Sequence, residues 1–151
     1  MKILLVCSSG GHFKALQQLA NFWQHHPHLW VTFRTATTET ALAQEQVLWA
    51  HSPTNRNLPN LLRNLWLALQ VIRTERPDVI LSTGAGVAVP FLLIGKLFGC
   101  KTVFIESVTR IQTLSLSARL VHPFLDILYV HWPQLQLRYP RAELVQSKIG
   151  S

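Results

Sequence analysis

Acid is what this chain has least of: Asp and Glu number 7 against 14 Lys and Arg, a formal charge of +7. With 48% hydrophobic residues, so oily and basic a composition suits an anionic membrane surface or a partner subunit. The basic residues are dispersed, and no helix-turn-helix, zinc or RNA-recognition signature accompanies them, so nucleic acid is not an expected partner. Cysteine is scarce too. Cys7 and Cys100 are the only two, each in or beside a predicted buried strand, which reads as two reduced core thiols of a cytoplasmic protein and excludes a disulfide framework. Long apolar runs are missing: the longest block, residues 84–95, is well short of the about 20 residues needed to cross a bilayer and contains Pro90. The opening MKILLVCSSGG has too short an apolar run for a signal peptide and no small-residue cleavage pattern. Without internal repeat, linker or low-complexity segment, the 151 residues are expected to form one domain, 1–151.

The informative stretch is ILLVCSSGGH, Ile3 to His12. Branched apolar residues stopped by two serines and two glycines read as a buried parallel strand entering a tight turn, with a helix after it. Gly10 and Gly11 open backbone angles closed to other residues, and Ser8 and Ser9 are placed to cap a helix starting near Phe13. Such a turn presents free N–H groups, Ser9 and the two glycines included, to a phosphate or a sugar hydroxyl, and His12 adds a titratable group at its rim. The GxGxxG spacing of a dinucleotide fingerprint is absent, which argues against a nicotinamide cofactor. Cys7 invites a phosphatase reading, but no arginine closes the loop and the residue sits within the strand pattern.

Strand and helix signals then alternate. Helical spacing carries the chain to Trp23, and His25, His26 and His28 follow in a proline-broken turn; with no carboxylate or cysteine nearby, no metal is expected there. Strands are predicted over 29–35, 47–51, 78–83, 101–107 and 126–132, with an edge strand over 142–145, and helices over 58–76 and 87–98, with shorter ones over 114–120 and 133–139 and a short polar helix or loop over 37–46. This is a doubly wound parallel α/β sheet. The helix over 58–76 bears more apolar surface than one stripe, with Arg56, Arg63, Arg73 and Arg76 around it. Packing on the sheet explains part of that surface and is the favoured reading; the other use for it is a lipid interface, with Arg63, Trp66 and Arg73 at headgroup level. A second glycine turn, Thr83, Gly84, Ala85 and Gly86, repeats the logic of the first. Ligands of open parallel sheets gather beyond the carboxyl ends of the strands, so both turns and Glu106, which ends the strand over 101–107, are expected around one crevice.

SSGGH, STGAGVAVP, FIES with Arg110 and LSLSARL after it, and DILYVHW with Tyr139 and Pro140 together resemble the acceptor-side subunit of split GT-B glycosyltransferases. The eukaryotic member of that family is the membrane-recruiting subunit of the dolichol-pathway N-acetylglucosaminyltransferase, and bacterial members act in exopolysaccharide and capsule assembly. The resemblance implies the N-terminal, Rossmann-like half of a GT-B enzyme, with a partner chain supplying the other half. That donor-binding partner would hold most of the UDP-sugar, a substrate, and no cofactor is expected. Ser9, Gly10, Gly11, Thr83, Gly84, Gly86 and Arg110 would line the acceptor side near a lipid-linked diphosphate. An inverting transfer needs a base for the acceptor hydroxyl; His12 is the first candidate and Glu106 the second, with a Glu106–Arg110 ion pair as the latter's other use.

Unlike the eukaryotic pattern, no anchor precedes the first strand, so attachment is expected to be peripheral, on the cytoplasmic face of a membrane. The closing VQSKIGS stops before the rest of the interdomain region. The other function the residues allow is a non-catalytic α/β scaffold whose glycine turns hold a small anion.

Overall fold

The computed structural model describes residues 1–145; the expectation for the chain's last residues falls on 146–151, outside those described. Strands β1 (Ile3–Cys7), β2 (His28–Phe33), β3 (Val47–Ala50), β4 (Val79–Gly84), β5 (Lys101–Ile105), β6 (Ile127–Val130) and β7 (Glu143–Leu144) form one sheet. Its order is β3-β2-β1-β4-β5-β6-β7 and every pairing is parallel. Strand order reverses between β1 and β4, as the doubly wound reading requires, and a ligand crevice belongs at that reversal.

Successive strand residues face opposite sides of a sheet, and two cores follow from that alternation. Leu4, Val6, Val31, Ile80 and Phe104 face α4 (Leu58–Glu75), α5 (Ala88–Leu97), α6 (Leu116–Val121) and α7 (Pro133–Arg138). Ile3, Leu5, Trp30, Leu81 and Ile105 face α1 (Gly11–Gln17), α2 (Ala20–Trp23) and the end of α3 (Ala36–Ala41). Burial on both faces explains the continuous apolar strands.

Three expectations are corrected. The first helix is not continuous to Trp23: the Leu16 carbonyl accepts from Leu19 N (3.1 Å) and from the Trp23 indole (3.0 Å), which closes α1 and starts a separate turn. The second strand stops at Phe33 instead of Thr35, because Thr35 and Thr38 form a capping box and the Thr38 hydroxyl donates to Phe33 O (2.6 Å). The third concerns α4. Its buried face is Asn60, Asn64, Ala68, Val71 and Ile72, while Leu58, Leu62 and Trp66 are 58–64% exposed and Leu61 is 37% exposed. The asparagines face inward because the backbone around the end of β3 needs partners. Asn64 accepts from His51 N (2.9 Å) and donates to His51 O (3.0 Å), and Asn60 donates to Pro53 O (2.8 Å). Satisfying those groups rotates the leucine-rich face toward solvent.

Beyond α6 a 3-10 turn, His122–Phe124, leads to β6. Burial pushes the His122 imidazole below its ordinary 6.5, and the charge of Arg141 adds to the shift; its ring meets the edge of Tyr139, with centroids 5.3 Å apart. His131, just after β6, is also pushed down by burial, against an opposing pull from Glu106. Below about pH 6.5 the unfolded chain takes up protons at these positions that the folded chain resists, so stability falls as pH drops through that range. Thermal unfolding at pH 7.5 and pH 5.5 should show the lower midpoint at pH 5.5, and His122→Phe should narrow the gap.

Candidate functional site

The two glycine turns meet at the carboxyl ends of β1 and β4. Their register shifts between Val6 and Cys7, which brings Cys7 opposite Gly84, and Ser8 N donates to Gly84 O (2.8 Å). Such an irregularity at a strand end re-aims the chain that follows. The turn enters α1 through Gly10 at φ 82, a left-handed angle that glycine accepts without strain. Neither Ser8 nor Ser9 caps the helix: its N-cap is Gly10, with no side-chain hydrogen bond, because the helix starts at Gly11, two residues earlier than expected. The first N–H groups of α1 are thereby left without a side-chain acceptor.

His12 is clasped to β4 at two points. Its Nδ1 lies 2.7 Å from Thr83 O, and the Thr83 hydroxyl donates to His12 O at 2.6 Å. A carbonyl only accepts, so Nδ1 carries the hydrogen, and in the neutral ring Nε2 is left as the acceptor. Behind the ring stands Gly84 at φ 109, where an added Cβ would come within 3.1 Å of His12 Cε1 and Nδ1. Cys7, by contrast, is fully buried and its thiol is pushed up to about 12 by that burial, only partly offset by Thr32. No thiolate forms there at neutral pH, and the phosphatase reading is set aside.

Glu106 is 2% exposed. One carboxylate oxygen accepts from Ser107 N (2.9 Å) and the other from Ser115 N (2.7 Å), while Ser115 in turn caps α6 through Ala118 N. The expected ion pair with Arg110 does not form. Glu106 instead closes the loop over 107–115 with backbone donors, and Arg110 stays exposed on that loop.

A cleft of about 690 Å³ opens here, lined on one wall by His12 and Lys14 of α1 and Gln18 at its end, and on the other by Glu106, Thr109 and His131. Gly11 and Thr83 also line it. Ser9, Gly10, Gly84, Gly86 and Arg110 do not; Gly84 backs His12, and Gly86 packs against Thr54. Arg63, Trp66 and Arg73 lie on α4, on the other side of the sheet. Lys14 and His131 were not anticipated from the sequence. The signal for His131 was its place at the end of β6, where the same strand-end rule that singled out Glu106 applies.

A cleft at the strand-order reversal of a seven-stranded parallel sheet defines the class as a Rossmann-like domain of the kind that builds the N-terminal half of GT-B proteins. Structural relatives agree. MurG of Acinetobacter baumannii superposes with a TM-score of 0.72 at 15% identity, over 89% of this chain and 43% of that one. UDP-GlcNAc 2-epimerase of Neisseria meningitidis, solved bound to UDP-GlcNAc, superposes with a TM-score of 0.75 at 12% identity, over 99% and 47%. Residues 50–147 match the family described as "Oligosaccharide biosynthesis protein Alg14 like", and the chain belongs to that family. Among curated relatives, the human UDP-N-acetylglucosamine transferase subunit ALG14 is 35% identical over 88 residues, covering 54% of this chain and 40% of the human protein. The Schizosaccharomyces pombe subunit is 43% identical over 74 residues, covering 46% and 35%. The chain therefore spans well under half the length of these relatives. The residues of the family match take in Thr83, Glu106 and His131 and leave out the His12 turn.

Proposed function

We propose that this chain is the acceptor-binding subunit of a two-component UDP-sugar glycosyltransferase acting on a lipid-linked glycan precursor. The observation that carries the reading is the His12–Thr83 clasp, which makes Nε2 the acceptor of the neutral ring on a residue that lines the cleft at the strand-order reversal. An acceptor hydroxyl within reach of Nε2 gives up its proton there as its oxygen attacks the anomeric carbon of the sugar. The bond from that carbon to the diphosphate breaks, and UDP leaves. Donor binding falls to a partner chain supplying the other Rossmann-like half, because one such domain leaves half of the crevice open to water. The acceptor's diphosphate would rest at Gly11, where α1 begins, with Thr83 and Lys14 nearby, all three of which line the cleft. No cofactor is needed for this transfer.

UDP-N-acetylglucosamine is the donor to test first, since the human and fission-yeast relatives carry that sugar in their names. Among the described residues no helix is long and apolar enough to cross a membrane. Attachment is assigned to the exposed face of α4, with Trp66 at headgroup level and Arg63 and Arg73 beside it, on the cytoplasmic face. Co-expression with the candidate donor-binding partner, followed by transfer of labelled sugar to a membrane lipid fraction, should give product only when both chains are present. A stable monomer that forms no complex and transfers nothing from a broad panel of donors would return the chain to the scaffold reading.

A further inference from the structure

Acidic residues are few, and each of the seven has a local partner. Ion pairs join Lys2 to Glu75, Arg34 to Glu39 and Lys96 to Asp126, and His28 Nε2 lies 2.9 Å from a Glu45 carboxylate oxygen. Asp78 accepts from Lys2 N, Glu106 accepts from Ser107 N and Ser115 N, and Glu143 lies opposite Tyr129 in the β6–β7 pairing. None of them lies within 46–74 or 107–125. The first stretch runs through β3 and α4 as far as Thr74 and the second through α6, and between them they include the N-terminal half of α4 and the loop that leads into α6. In a parallel α/β sheet both lie at the same end, beyond the carboxyl ends of the strands, and α5 packs against α4 on one side and α6 on the other.

The loop is held firmly, yet its apolar side chains are left out. Trp132 Nε1 donates to Val108 O (2.6 Å), Arg138 donates to Gln112 O (3.1 Å), and the Ser107 and Thr109 hydroxyls lie 2.8 Å apart. Even so, Val108 is 56%, Ile111 43% and Leu116 64% exposed, with Arg110 between the first two. A pinned loop that displays apolar residues beside an arginine, whose neighbouring acid Glu106 is buried at 2% exposure, matches an anionic lipid interface: apolar side chains enter the acyl boundary and the guanidinium meets headgroups.

We propose that the loop over 107–113, with Leu116, is a second membrane-contacting element that acts with the α4 face to set the cleft end of the sheet against an anionic bilayer. This rests on the membrane reading of α4 given above and extends it to the far side of α5. Because Val108 and Thr109 also line the cleft, a lipid-linked acceptor would reach it from the headgroup layer along the loop.

The test uses the full chain carrying an environment-sensitive fluorophore on Ile111→Cys or, separately, on Trp66→Cys; Cys7 and Cys100 are buried and should not compete for the label. On vesicles of equal parts phosphatidylcholine and phosphatidylglycerol, both labels should shift to the blue. In unlabelled protein, Arg110→Gln should weaken vesicle binding about fivefold, the equivalent of roughly 1 kcal/mol for one basic residue at an anionic surface, and the double change Ile111→Ser and Leu116→Ser about tenfold or more. A shift at position 66 alone would overturn the loop's role and leave the α4 reading standing; a shift at neither would overturn both. A shift at 111 produced by the donor-binding partner without vesicles would make the loop a protein interface and overturn the proposal.

Discussion

For the two-component transferase proposed above, His12→Ala is expected to lower sugar transfer roughly 10²–10⁴-fold, the range a positioned general base contributes, while leaving the complex intact. The loss should fall on kcat, since the proton is removed only as the acceptor oxygen attacks, and the limb of the pH–rate profile that reports the base should vanish. The contrast with Glu106 makes the assignment sharp. Both Glu106 oxygens already accept backbone N–H groups, at 2.9 and 2.7 Å, and its exposure is 2%, so a proton delivered there would break the bonds that close the loop over 107–115. Glu106→Gln exchanges one acceptor oxygen for an amide that faces a backbone donor. Leaving that donor unpaired costs about 1–3 kcal/mol, read as a lower unfolding midpoint and a higher acceptor KM. Should Glu106→Gln abolish kcat in a folded complex while His12→Ala retains it, the two roles are exchanged.

What the sequence made legible here is whatever depends on local pattern. Branched apolar runs ending in Gly10–Gly11 and Gly84–Gly86 located β1 and β4, and parallel pairing then required both turns at one end of the sheet. The order of motifs was enough to identify the family, although the family match begins at residue 50 and the SSGGH motif lies before it. What was not legible depends on partners distant in sequence. Seven apolar positions on α4 suggested a core face, yet the carbonyls of His51 and Pro53 draw Asn64 and Asn60 inward and turn Leu58, Leu62 and Trp66 outward. A polar demand made by a neighbouring loop overrode amphipathic period. Glu106 and Arg110 lie four residues apart and looked like an ion pair, but Ser115, nine residues on, supplied a better donor. His131 was read only as a strand residue: its place at a strand end was the one signal, and its neighbours in sequence do not mark a histidine as facing a cleft whose other wall is more than 110 residues earlier.

Gly84→Ala is the substitution expected to damage fold and site together. Gly84 ends β4 at φ 109, a backbone angle that L residues rarely adopt, so any side chain brings strain of about 1–3 kcal/mol. The strain cannot relax easily, because Gly84 O accepts from Ser8 N (2.8 Å) and Gly84 N donates to the Ser82 hydroxyl (3.0 Å), which tie this residue to the first turn and to its own strand. The new methyl would also stand 3.1 Å from His12 Cε1 and Nδ1, tighter than ordinary contact. The imidazole must then give way, and it does so by lengthening the Nδ1–H bond to Thr83 O that fixes its tautomer. We therefore expect a clear drop in thermal midpoint and a loss of transfer approaching that of His12→Ala, since a misplacement of about 1 Å at a reacting group costs on the order of 10²-fold. Gly11→Ala serves as the control. Its added Cβ meets nothing within 4 Å and its φ is not in the left-handed region, so it should keep the wild-type midpoint. Equal midpoints for Gly84→Ala and Gly11→Ala, with transfer unchanged in both, would show that His12 does not depend on the space Gly84 leaves for it.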